Sequence, residues 1–133
     1  MANAIYPKWK EAVANGGSNV ALSGTLKAAL IDTGVVSYNA AHDFYDDINA
    51  GVIGTPVALA SKTYTNGVLD AADTTFTAVS GASVEAIVLY IDTGVAGTSR
   101  LFAWIDTGVT GLPFTPSGGN VQITWNASGI VAI

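Results

Sequence analysis

The chain contains a single histidine, and the residues around it are the first place to look for catalysis. His42 is followed closely by Asp43, Asp46 and Asp47, and carboxylates of this kind can orient an imidazole. A catalytic triad would also need an activated serine, but the Gly-x-Ser-x-Gly turn that exposes one occurs nowhere in the sequence. Cysteine is absent, which excludes a thiolate nucleophile or metal ligand. We therefore interpret His42 as a solvated side chain on a short helix.

Carboxylates offer the next possible chemistry. Asp70 and Asp73 flank two alanines and could, with nearby carbonyl oxygens, hold Ca²⁺, a cation that takes oxygen ligands. Their spacing matches no EF-hand, and aspartate is also a common turn residue, so we favour a turn. The two glutamates, Glu11 and Glu85, show no partner in a recognisable cleft of the kind a glycoside hydrolase needs. The sequence thus predicts no enzyme, no metal, no cofactor and no small-molecule substrate.

The elements that would position any site are organised around one phrase, Ile-Asp-Thr-Gly-Val, which occurs at 31–35, 91–95 and 105–109. An apolar run precedes each copy, and Asp followed by Gly at this spacing forms a turn. The apolar runs do not alternate with polar residues, which indicates strands that are buried on both faces. Three such strands predict the centre of a β-sandwich or barrel, with the last two as antiparallel neighbours.

The low charge of the chain bears on its partners. Charged residues make up only 11% of the sequence, against about 25% in ordinary soluble domains. The net charge is −5 with only five cations, which argues against nucleic-acid binding. No apolar run approaches the roughly 20 residues that span a bilayer, so we expect no membrane partner. We expect surface buried against other subunits instead, although small all-β monomers can also be charge-poor.

Together these patterns predict an all-β fold: one β-sandwich or jelly-roll-like domain over residues 1–133. There are two exceptions to the β structure. One is an N-terminal helical segment within 1–16, and the other is a helical excursion near 39–48 that is capped by Asn39. Residues 51–56 are expected to be a loop that leads back to the sheet.

One hairpin turn is marked strongly. Asn66-Gly67 stands between two β-like runs and predicts a type I′ turn. This dipeptide suits the turn because both of its residues tolerate positive φ.

The N-terminal segment is the first candidate interface. It places two aromatic residues and two of the five cations close together: Tyr6, Lys8, Trp9 and Lys10. Large aromatic side chains and long cationic stems are typical of protein interfaces, so we expect Trp9 to anchor contacts in which Lys8 and Lys10 meet acidic groups. The alternative is that Trp9 covers the chain's own sheet. A second candidate is the exposed loop at 112–119, through Leu112 and Phe114.

Three stretches, 1–12, 61–79 and 107–130, resemble a family of small tailed-bacteriophage virion structural proteins. The resemblance extends over essentially the whole chain and carries no catalytic motif. It implies a virion part made in many copies, and a capsid decoration (cement) protein on the capsid exterior fits the small size best. Its partners would be the major capsid protein and copies of itself, as a trimer or dimer. The alternative is a structural or receptor-binding protein associated with a tail or head fibre.

Overall fold

The structure, a computed structural model, describes residues 3–133. These residues form an antiparallel all-β fold with one α-helix, α1 (Pro7–Ala14), and two short 3-10 segments, Tyr45–Asp47 and Asn49–Gly51. The strands in chain order are β1 (Ala4–Ile5), β2 (Leu26–Ile31), β3 (Val52–Ala58), β4 (Thr63–Thr65), β5 (Val68–Asp70), β6 (Thr74–Phe76), β7 (Ala86–Ile91), β8 (Arg100–Ile105), β9 (Val121–Ile123) and β10 (Val131–Ala132). The predicted all-β sandwich with a short N-terminal helix is therefore confirmed.

Five strands form the central sheet, in the order β1-β8-β7-β2-β3, and every neighbouring pair is antiparallel. Its three middle strands are those that precede the copies of Ile-Asp-Thr-Gly-Val. All six residues of β7 are buried, as are five of six in β2 and five of six in β8. The prediction of central strands that bury both faces, with β7 and β8 as neighbours, is confirmed.

One face of the central sheet packs against a second layer, which contains the small sheets β10-β5-β4 and β6-β9. Residues of both layers belong to one buried apolar cluster; they include Leu30, Leu89 and Phe102 from the central sheet and Leu69, Phe76 and Ile123 from the second layer. Full burial of each such side chain contributes about 1.5–3 kcal/mol, which makes this cluster the main source of the sandwich's stability.

The opposite face of the central sheet is covered by residues 36–51 rather than by strands. Ile48 is fully buried there, and Tyr38 lies edge-on to Trp104 with ring centroids 6.0 Å apart. The central sheet therefore carries two separate apolar cores, one on each face.

The helical excursion expected near residues 39–48 is present as the short 3-10 segment Tyr45–Asp47, but Asn39 does not cap it. The Asn39 side chain accepts a hydrogen bond from the amide two residues later and so closes a turn rather than capping a helix. Phe44 then pairs as an antiparallel bridge with Arg100, at the start of β8. Because this pairing satisfies the backbone in an extended conformation, helical structure is limited to the 3-10 segment Tyr45–Asp47.

The loop expected at residues 51–56 is also wrong, because strand β3 begins at Val52. Its pairing with β2 is interrupted by a bulge that contains Gly54, at φ +72°, and Pro56. Both residues argue against a strand in the middle of a sheet, but β3 is an edge strand, where bulges and proline are tolerated. The same bulge interrupts the open edge and so discourages pairing with other chains there.

Two local predictions hold. Helix α1 begins at Pro7, in the position where the missing N–H of proline costs nothing, and it ends before Asn15. Asn66 and Gly67 have φ values of +53° and +76° and join β4 directly to β5, as a type I′ turn requires.

Candidate interaction surface

Three of the five large hydrophobic side chains that are exposed in the described part of the chain lie on one surface. They are Val13, Tyr64 and Ile133, which are 46%, 42% and 49% exposed. They line a shallow groove of about 430 Å³ together with Trp9, Val20, Ala21, Leu22 and Ser23. We name this surface the α1–β4 patch, because it joins the helix, the loop before β2, strand β4 and the C-terminal residue.

Trp9 fixes the helix side of the α1–β4 patch. Its ring is 8% exposed and packs edge-on against Phe102 in β8, with ring centroids 4.8 Å apart. Its indole N–H donates a hydrogen bond to the carbonyl oxygen of Val20 at 3.0 Å. Because Val13 lies one helical turn beyond Trp9, this anchoring also holds Val13 at the surface.

Strand β4 fixes the other side of the α1–β4 patch. The Tyr64 hydroxyl donates a hydrogen bond to the carbonyl oxygen of Leu22, and partial burial raises the pKa of this hydroxyl. The Lys62 ammonium donates to the same carbonyl at 3.1 Å and to that of Gly24. The exposed Tyr64 ring is therefore held in one orientation before any partner arrives.

Two lysines lie close to the α1–β4 patch although the whole chain carries a net charge of −5. Lys10 is exposed on α1, three residues before Val13, and Lys62 reaches the carbonyl of a patch residue. Within residues 3–133 neither lysine pairs with a carboxylate, whereas Lys8 and Lys27 each do. The patch thus combines apolar side chains with lysines that no carboxylate of the described chain neutralises.

The N-terminal residues proposed for the interface divide into two groups. Tyr6 is fully buried and Trp9 nearly so; burial raises the pKa of Tyr6 above its usual range. Both rings are thus unavailable at the surface of the folded chain, and Trp9 covers its own sheet, which was the alternative given above. Lys10 points outward, while Lys8 pairs with Glu11 at 3.4 Å.

The loop residues Leu112 and Phe114 are half-buried and pack against the core between the two layers. Phe114 exchanges two backbone hydrogen bonds with Val84, of 2.8 and 3.0 Å. They contribute to the fold and leave only part of their surface open to a partner.

The sequence did not single out Tyr64 for this surface, since it stands in an ordinary strand pattern. The patch is formed by segments far apart in sequence, so no single stretch predicts it.

The residues considered for catalysis serve local structure. His42 lies in a turn and is half-buried, not on a solvated helix as expected. Asp47 accepts a hydrogen bond from the backbone amide of Asp43 at 2.9 Å, and this bond is the largest cause of its lowered pKa. Burial, followed by the neighbouring Asp47 carboxyl, raises the pKa of Asp43.

The other carboxylates behave similarly. Glu85 accepts hydrogen bonds from the Ser83 side chain and from Thr33, which lower its pKa. Asp70 ends strand β5 and accepts a hydrogen bond from the amide of Ala71, while Asp73 is exposed between β5 and β6. Over residues 3–133, no three side chains of the types His, Cys, Asp and Glu are grouped to hold a metal ion.

The three copies of Ile-Asp-Thr-Gly-Val do not form three equal turns. Asp32 and Asp92 each accept a hydrogen bond from the amide two residues ahead, at 2.9 and 3.0 Å. In the third copy, the Asp106 carboxylate accepts a hydrogen bond from the Trp104 indole at 3.1 Å instead. The side-chain oxygen of Asn3 accepts hydrogen bonds from the amides of Asp106 and Thr107. The phrase therefore marks strand ends and does not mark a repeated binding site.

No protein-family model matches the chain, and no curated protein matches it. None of the helices in the described residues has the length and apolar character to cross a bilayer. The function is therefore inferred from the surface and from the sequence itself.

Proposed function

We propose that this chain is a structural protein of a tailed-bacteriophage virion, and specifically a decoration protein that binds the capsid exterior and bridges neighbouring capsid subunits. The observation that carries the proposal is the α1–β4 patch, an apolar surface left exposed on a chain with only 11% charged residues. The resemblance of 1–12, 61–79 and 107–130 to phage virion proteins supports the choice of assembly. The partners are the major capsid protein and copies of the chain itself.

The α1–β4 patch has the properties of a docking surface. Burial of apolar area gains about 25 cal/mol for each Å² removed from water, so Val13, Tyr64 and Ile133 favour a partner over solvent. Tyrosine is enriched at energetically important contact positions because it combines a large apolar ring with a polar tip. Since the Tyr64 hydroxyl is already bonded to Leu22, less side-chain entropy is lost on docking.

The central sheet suits a mechanical role. A protein that bridges capsid subunits bears load when packaged DNA presses on the shell. Strands β8, β7 and β2 are hydrogen-bonded to one another, with one register shift in β7 between Leu89 and Tyr90, and they are buried on both faces. They therefore cannot separate without exposing two apolar cores. A mechanical role of this kind involves no substrate turnover and no cofactor.

Mass spectrometry of purified virions with copy-number estimation tests the proposal. For virions of a phage that encodes this chain, we expect on the order of hundreds of copies, because capsid symmetry reuses one contact many times. A handful of copies would favour a tail or fibre position instead. Absence of the chain from virions would contradict the proposal.

A variant pair connects the copy number to the surface. Val13→Ser on the α1–β4 patch is expected to reduce binding to capsids that lack the protein. Val35→Ser is the matched control, because Val35 is 59% exposed and lies outside the patch. Equal binding by the two variants would show that the patch does not contribute to attachment to the capsid.

A further inference from the structure

The α1–β4 patch has a counterpart elsewhere on the same molecule. The segment with Asp43, Asp46 and Asp47 covers the face of the central sheet that is turned away from the second layer. The backbone amide of Asp46 donates a hydrogen bond to the carbonyl oxygen of Ala96, which places Asp46 beside Val95. Val95 is 60% exposed. We name Asp43, Asp46, Asp47 and Val95 the acidic face.

The acidic face and the α1–β4 patch are complementary. The α1–β4 patch presents exposed apolar side chains beside lysines, and the acidic face presents one exposed apolar side chain, Val95, beside carboxylates. A cation in contact with that segment, Arg100, packs over the Phe44 ring. Asp46 is exposed, and within the described residues its carboxylate makes no hydrogen bond or ion pair, which leaves it free for a partner. Lys10 is free in the same sense.

We infer that the α1–β4 patch of one copy docks on the acidic face of a second copy, in a head-to-tail contact that closes into a ring. The contact names how copies of the decoration protein would assemble with one another. Only the role of the assembly on a virion rests on the proposed function.

The charges decide between this arrangement and a two-fold dimer. A two-fold contact through the α1–β4 patch would bring Lys10 and Lys62 of both copies together, and like charges across an interface are costly. A head-to-tail contact places the lysines opposite Asp46 and its neighbours instead. Because the two surfaces share no residue, each copy can present both, and contacts of this type form closed rings when the rotation allows.

The size of the α1–β4 patch indicates how strong the contact is. Stable interfaces use about 20–30 residues on each side, whereas eight residues line this patch. We therefore expect association in solution to be weak and dependent on concentration. Attraction between exposed charges is screened by salt, so association should also weaken as the ionic strength rises.

Sedimentation equilibrium of the full chain over a roughly hundredfold range of concentration is the primary test. Wild-type protein should associate, and Lys10→Glu and Asp46→Lys should each weaken association about tenfold. The double variant Lys10→Glu/Asp46→Lys should recover most of the wild-type affinity, because each contact then contains the exchanged pair. Val13→Ser should weaken association as well. Circular dichroism confirms that each variant is folded.

Two results would overturn the head-to-tail contact: a wild-type monomer at every concentration, or association that neither single charge reversal weakens. Failure of the double variant to recover affinity when both single variants lose it would also overturn it. A monomer that still binds capsids would leave the decoration role standing and would assign the α1–β4 patch to the capsid protein. A ring-forming protein that is absent from virions would support the contact and contradict the decoration role.

Discussion

The indole nitrogen of Trp9 donates a hydrogen bond to the carbonyl oxygen of Val20 across 3.0 Å. The same ring packs on Phe102, so one side chain joins α1, the loop before β2 and strand β8. Strand β8 is remote in sequence from α1 and from the loop that follows it, and these last two segments form one side of the α1–β4 patch. The patch therefore depends on a buried residue that is itself largely hidden from a partner.

Trp9→Phe is expected to lower the free energy of unfolding by about 2–3 kcal/mol, because the carbonyl of Val20 loses its donor and the smaller ring leaves a gap. Urea unfolding measures this loss. Val13→Ala on the exposed side of α1 is the control and should stay within about 0.5 kcal/mol of wild type. Equal stability of the two variants would show that the Trp9 contacts contribute little.

Gly67→Val is expected to lower the free energy of unfolding by about 1–3 kcal/mol, because Gly67 has φ +76° and a β-branched residue is strained there. Thermal unfolding gives the change. Gly119→Val is the matched control, since a Cβ at Gly119 meets nothing within 4 Å and its φ is not in the left-handed region. A Gly67 variant as stable as the control would contradict the strain at this turn.

Gly51→Ala tests how tightly residues 36–51 close over the sheet. A Cβ at Gly51 would lie 2.9 Å from Cγ2 of Val36, a buried side chain with little room to move. We expect a loss of about 1–3 kcal/mol, the usual cost of overpacking. Denaturant unfolding measures the loss, and Gly24→Ala, whose nearest contact is 3.4 Å away, is the control. If the two variants unfold alike, the cover must be looser than the structure shows.

Asp92→Asn tests a charge interaction at the end of β7. The pKa of Asp92 is lowered, first by the Lys27 ammonium at 2.9 Å and then by the amide of Gly94. When the pKa of a carboxyl group is lower in the folded state than in the unfolded state, its charge stabilises the fold. This stabilisation is fully present above the unfolded-state pKa, about 4, and is lost as the pH falls through the folded-state pKa. The stability difference between wild type and Asp92→Asn should therefore shrink on acidification.

Urea unfolding from about pH 6 to about pH 2 measures this dependence. Asp73→Asn is the control, because Asp73 is exposed between β5 and β6 and makes no ion pair within residues 3–133. A difference between wild type and Asp92→Asn that stays constant with pH would contradict the role of the Asp92 charge.

The features that the sequence predicted correctly depend on local chemistry. The three central strands were marked by apolar runs that end in Ile-Asp-Thr-Gly-Val, and Asn66-Gly67 marked its own turn. In each case, residues within five positions determine the conformation, through a side-chain hydrogen bond or through tolerance of positive φ.

The features that were missed depend on distant partners. Phe44 is extended because it pairs with Arg100, 56 positions later, and this pairing overrode the local helix signal. Strand β3 was predicted as a loop because it contains Gly54 and Pro56, which only an edge strand tolerates. The α1–β4 patch forms only when folding brings Val13, Tyr64 and Ile133 together. The sequence around each of these residues gives no indication of the other two.

The burial of β7 on both faces has a consequence for the slow motions of the molecule. Each of its residues is buried, and its backbone is paired with β2 on one side and β8 on the other. Fraying at the sheet edges, or lifting of residues 36–51 alone, leaves these pairings in place. Its amide protons should therefore exchange with solvent deuterium only when the whole domain unfolds, and their exchange rates would report the global stability directly.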